Sequence, residues 1–191
     1  MRIIAGAHKG RVLKTTTGPG FRPAMGKVRE ALFSLLEARG ANWPEERVLD
    51  LFAGSGSLGF EALSRGAREV CFVESASYAA KVINANAELL HIEPERVRVI
   101  QEEAAKALAK RPGAPYSLVF IDPPYKLDLL DHTLQALVKY RWLTPDALIN
   151  AEVESRLTFD AEQAHPALEL LADRSYGQTR VLVWQYSDQT A

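Results

Sequence analysis

Apolar positions along this chain recur with two alternating periods. From residue 27 onward, Val28, Ala31, Leu32, Leu35 and Leu36 share one helical face, and Gly40 supplies a stop. "RVLDLFA" then reads as a short buried strand, followed by a glycine loop and the helical "SLGFEALSRG" ending at Gly66. The alternation continues: "EVCFVE" strand, "SYAAKVINANAELL" helix, "RVRVIQ" strand, "AAKALAK" short helix, "YSLVFID" strand, "LLDHTLQALVKY" helix and "ALINAEV" strand. "ALELLADRSY" and "TRVLVWQYS", joined at "GQ", read as an antiparallel pair, and at the front "RIIAG" and "RVLKTTT" around "AHKG" fit a hairpin. "GPGFRP" is a loop by its Gly and Pro density. Strands alternating with helices at this spacing predict an α/β fold with a mainly parallel, doubly wound sheet, carrying an antiparallel hairpin at its end.

Composition narrows the picture. At 191 residues and 47% hydrophobic, the chain can bury one good core and is short for two. No apolar run approaches the roughly 18 to 20 residues that cross a bilayer, and "MRIIAGAHKGR" has no signal-like core, so a cytoplasmic protein with no membrane partner is expected. The single Cys71 sits in a strand as a small hydrophobe, and the four histidines are scattered without ligand spacing, so no metal site is expected. The net charge of -1 conceals an asymmetry: residues 1–29 hold seven bases and no acid, while the remainder holds 16 bases against 24 acids. A basic front on an acidic body points to a nucleic-acid contact at the N-terminus, with a merely solvated basic stretch as the alternative.

Two stretches carry chemistry. "DLFAGSGSLG" places Gly54, Gly56 and Gly59 in the G-x-G-x-x-G pattern, with Glu74 about 20 residues beyond Gly54 at the next strand end. That layout serves NAD or S-adenosylmethionine, since both present a ribose diol to a strand-end carboxylate. Asp50, at the end of the preceding strand, favours the second: a bare carboxylate suits a cationic amino-acid tail better than a pyrophosphate. A loop carboxylate or helix cap is its competing reading. Glu103, after the third strand, could accept from an adenine amine.

"VFIDPPYK" is the second stretch, a buried strand ending in a carboxylate, two prolines and a ring. Prolines cannot join a ladder and hold the preceding residue extended, so this segment leaves the sheet stiffly. Methylating an exocyclic base amine requires turning a conjugated nitrogen toward a methyl group. Asp122 and the Pro123 carbonyl could each accept one amine hydrogen, Pro123 and Pro124 supply no competing N–H, and Tyr125 could stack on the base. A turn that merely caps the strand is the alternative.

With those residues in view, the chain resembles the RsmD family, bacterial enzymes that methylate the N2 amine of a guanine in 16S ribosomal RNA. The resemblance spans nearly the whole chain through "MRIIAGAHKGRVL", "RPAMGKVREALFSLL", "VLDLFAGSGSLGFEALSRGA" and "FIDPPY". It implies a Rossmann-like, seven-stranded S-adenosylmethionine-dependent methyltransferase fold with a small N-terminal β-hairpin: residues 1–20 as a basic, RNA-contacting hairpin and residues 21–191 as the methyltransferase domain. It further implies S-adenosyl-L-methionine held by Asp50, Phe52, Ala53, Gly54, Gly56, Glu74, Glu103 and Ala104, catalysis by Asp122, Pro123, Pro124 and Tyr125, and RNA contacts from Lys9, Arg11, Arg22, Lys27 and Arg29. The partner implied is 16S rRNA within an assembling or assembled 30S subunit, approached by a monomer. Ala24, Met25 and Gly26 depart from the hydroxyl and acidic residues usual in the family after "RP". An adenine-N6 methyltransferase and a non-catalytic RNA-binding assembly factor are the competing functions.

Overall fold

The computed structural model describes residues 1–16, 26–123 and 127–188, without the side chains of residues 127 and 128. Its elements run α1 (Gly26–Ala38), β1 (Arg47–Leu51), α2 (Ser57–Arg65), β2 (Glu69–Val73), α3 (Ser77–Leu89), β3 (Val97–Ile100), α4 (Ala104–Leu108), β4 (Tyr116–Ile121), α5 (Leu127–Lys139), β5 (Leu143–Glu154), β6 (Leu168–Tyr176) and β7 (Thr179–Tyr186). The seven strands form one sheet in the order β3-β2-β1-β4-β5-β7-β6. Neighbours from β3 to β5 are parallel, and β7 runs antiparallel to both β5 and β6. Strand order reverses direction between β1 and β4, and the parallel strands' C-terminal ends open there into a crevice where such sheets place ligands.

Alternation along the central strands divides the core in two. Val48, Leu118, Phe120, Leu148 and Val183 pack with Ile3, Leu13 and the apolar faces of α1, α2 and α3 on one side. Leu49, Val119, Ile121, Ile149 and Trp184 pack with α4 and α5 on the other. Both faces are covered, which is why these strands read as continuous apolar runs. No described helix is long and apolar enough to cross a membrane.

The N-terminal segment differs from its expectation in extent. Among the described residues its two limbs meet in a single antiparallel bridge, Arg2 to Val12, supported by the Ile3 N–H to Arg11 and the Gly10 N–H to Ile3. The reason is competition from α2. The N–H groups of Ile4 and Ala5 donate to the buried Glu61 carboxylate (2.8 and 3.0 Å), and Ala7 N–H donates to the Ser64 carbonyl (2.7 Å). Gly6, at φ +80°, allows this contact, because a Cβ there would lie 1.7 Å from the Ser64 oxygen.

Candidate active site

A cavity of about 880 Å³ lies along the C-terminal strand ends. One half is walled by Phe52, Glu74, Glu103 and Ala104, the other by Asp122, Pro123, Glu152 and Thr179, with α5 contributing Leu130 and Thr133. The glycine loop adjoins the first half, following directly on Phe52. Glu74 organises it: its Oε2 accepts the Gly54 N–H (2.8 Å) and its Oε1 the Ala76 N–H (2.8 Å), joining the loops after β1 and β2. Ala53 N–H donates to Val73 and Gly56 N–H to Ala53, closing the turn. Gly54 sits at φ +56° with nothing within 4 Å of where a Cβ would stand, which leaves room above the loop. Phe52, at φ +58°, is a bulky residue in a left-handed conformation that costs about 1–3 kcal/mol, a strain of the kind concentrated at binding sites.

Asp50 takes a different position from its neighbours. It is buried behind the loop, outside the cavity wall, and its Oδ2 accepts the Gly59 N–H (2.9 Å), tying the first turn of α2 to β1. Burial raises its pKa well above the usual carboxylate range against that hydrogen bond, and Asp122, Glu74 and Glu152 push the same way. Gly59 itself serves packing: a Cβ there would meet the Phe72 ring at 2.3 Å. Glu103 is exposed at the start of α4, paired with Lys106 at 3.2 Å, and Ala104 is buried beside it.

In the second half, strand pairing sets Ile121 level with Ala151, so Asp122, just past the end of β4, and Glu152, inside β5, stand at the same height. Alternation turns both toward the face of α1 and α2, the side of Leu118 and Phe120 rather than of Ile121. The Asp122 carboxyl accepts no hydrogen bond from any described residue. Desolvation raises it to about 6 although the residue keeps an exposed surface toward the cavity, and its charge in turn raises Glu152 beside it. Pro123 is half-buried at the cavity wall. Pro124 and Tyr125 lie outside the described residues, as does Arg22.

The basic residues divide. Lys9, Arg11 and Lys27 are exposed, and Arg11 also donates to the Leu89 carbonyl (3.0 Å). Arg29 corrects its expectation as a surface RNA contact. It is 3% exposed, donates to the Arg2 carbonyl, and faces Glu61 and Glu152 from beneath the site, because α1 presents the Val28 and Arg29 edge to the core. Glu152, Thr133 and Thr179 were not anticipated as wall residues. The available signal was an acid inside the apolar strand "ALINAEVE", at the strand end next to "FIDPP".

A family model described as Conserved hypothetical protein 95 matches residues 1–185. The Ribosomal RNA small subunit methyltransferase D of Haemophilus influenzae is 38% identical over 160 residues, covering 81% of this chain and 79% of that one. Its namesake in Escherichia coli is also 38% identical, over 159 residues, 81% of this chain and 75% of that one. The solved structure of yhhF from Escherichia coli aligns with a TM-score of 0.84 at 34% identity, covering 99% of each chain.

Proposed function

The chain belongs to the RsmD family, and from that membership and the cavity geometry we propose that it methylates the N2 amine of a guanine in 16S ribosomal RNA, using S-adenosyl-L-methionine. The observation that carries this reading is the Asp122 carboxyl, unpartnered among the described residues at the open end of β4, next to the Pro123 backbone.

Residues of the β1–β3 half suit the proposed cofactor. Glu74 keeps lone pairs for a ribose diol while its two backbone bonds fix it in place. The empty space over Gly54 admits the methionine end, and Ala104 and Glu103 stand where an adenine would rest. When bound, the cofactor supplies a methyl group on a positively charged sulfur. Asp122 and the Pro123 carbonyl accept the two hydrogens of the target amine, aiming the nitrogen's remaining electron pair at that methyl, and the proton the amine sheds on gaining a methyl passes to Asp122 or to water. Tyr125 stacks on the base. Holding both reactants in this geometry supplies most of the acceleration, with about 7–11 kcal/mol available from proximity and orientation.

Lys9, Arg11 and Lys27 hold RNA by its phosphates, which fixes position without reading sequence. We place the reaction on an assembling or assembled 30S particle, carried out in the cytoplasm by a monomer. Incubation with a labelled methyl donor and naked 16S RNA, 30S particles or duplex DNA tests the reading. Label recovered as N2-methylguanine in the RNA or the particle is expected; N6-methyladenine, or no label in any substrate, overturns it.

A further inference from the structure

Glu152 is a carboxyl that the reaction as described does not use. It is 6% exposed near the C-terminal end of β5, lines the cavity beside Asp122, and its Oε1 has no hydrogen-bond partner among the described residues. A buried polar atom left unpaired costs about 1–3 kcal/mol, so one retained in a binding cavity calls for a partner that arrives with the ligand. The charged groups facing it are Asp122 from β4, Asp50 from β1 and Arg29 from α1. Arg29 does not satisfy it: the Arg29 Nε and Nη1 atoms are themselves without partners among the described residues, and its Nη2 is spent on the Arg2 carbonyl.

We infer that Glu152 reads the N1–H and O6 edge of the target guanine, its carbonyl oxygen accepting from N1–H and its hydroxyl donating to O6, while Asp122 holds the neighbouring N2 amine. The inference rests on the reaction proposed above. Its chemistry follows from adjacency. On guanine the amine to be methylated lies next to N1–H and one atom further from O6, so two acids side by side on adjacent strand ends match two adjacent stretches of one ring edge. A purine whose N1 carries a lone pair presents no hydrogen to the carbonyl oxygen and offers no O6 to the hydroxyl. Burial, then the charge of Asp122, raises the Glu152 pKa to about 8 against the opposing pull of Arg29, which favours a proton on this carboxyl.

The test compares guanine with 2-aminopurine at the methylated position of the RNA substrate. 2-Aminopurine keeps the N2 amine and the ring but lacks N1–H and O6. The intact protein is expected to favour guanine by roughly 10- to 100-fold in kcat/KM, the discrimination of one bidentate pair. Glu152→Ala is expected to lose activity on guanine and to bring that ratio close to one. Glu152→Gln, which keeps an acceptor and a donor without charge, is expected to recover most of what the alanine variant loses. An alanine variant that falls equally on both bases and keeps the ratio would mark Glu152 as merely structural and overturn the inference, as would a glutamine variant no better than alanine. Should the alanine variant not fold, the intact protein decides: equal rates on the two bases overturn the inference. A product other than N2-methylguanine in the intact protein sinks the proposed reaction instead, and is told apart by its identity.

Discussion

The two halves of the cavity treat their carboxylates in opposite ways. Around β1 and β2, Asp50, behind the cavity wall, and Glu74, on it, are engaged by backbone N–H groups of α2 and the adjoining loops, from Gly59, Gly54 and Ala76. Around β4 and β5, Asp122 and Glu152 face each other without a described hydrogen bond to the Asp122 carboxyl or to Glu152 Oε1. A satisfied carboxylate shapes a loop and stays put. One left unsatisfied in a cavity is an acceptor or donor kept for a ligand's own hydrogens, at a cost in stability that the rest of the sheet offsets. The first half is therefore a rigid holder and the second a reading head.

The sharpest way to break this contrast is at Asp122. Asp122→Ala is expected to lower kcat by roughly 100- to 1000-fold, the scale of losing a hydrogen-bonding group that acts on the reacting centre, while cofactor affinity measured by calorimetry stays within about threefold. A comparable loss of cofactor affinity would place Asp122 in the holder. The reverse change, Glu74→Ala, frees the Gly54 and Ala76 amides and is expected to weaken cofactor binding by about 10- to 100-fold, with kcat at saturating cofactor little altered.

Acidity sharpens the contrast next. Ionised Asp122 accepts the amine hydrogen more strongly than the neutral acid, so kcat should rise with pH through about 6, and a flat profile from pH 5 to 7 would count against its role. Stability should move the other way. Asp122 and Glu152 are raised above ordinary carboxylates, near 4, so between those values and about 6 and 8 the folded protein binds protons that the unfolded chain has released; stability falls as pH rises across that window. A thermal midpoint lower at pH 9 than at pH 6, with a smaller difference in Glu152→Gln, is the expected result. The smallest effect concerns the basic front, which belongs to neither half. Lys9 and Arg11 changed together to Glu should weaken RNA binding and reduce the slope of log affinity against log salt, by about 0.7–0.9 for each phosphate no longer neutralised. An unaltered slope would remove these residues from the interface.

Much of the holder was legible along the chain. The spacing of Gly54, Gly56 and Glu74 is local, and the loop that joins them is built by segments close in sequence. The elements were equally plain, since periodicity is written within each segment: the helices ending at Gly40 and Gly66, the buried strands and the closing hairpin at Gly177 stand where the pattern puts them. The N-terminal pair was less so, because Glu61 and Ser64 of α2 take hydrogen bonds that two isolated strands would have exchanged.

What the sequence determined by itself, then, was the succession of strands and helices, the glycine loop and the stiff strand end with its acid, all of them properties of neighbouring residues. Tertiary structure alone decided that Asp50 braces a helix from behind the wall, that Arg29 lies inside beneath the site, and that Glu152 stands beside Asp122. Burial and the proximity of charges depend on which strands lie side by side and which face each residue turns to, and chain spacing does not encode that until the sheet has formed.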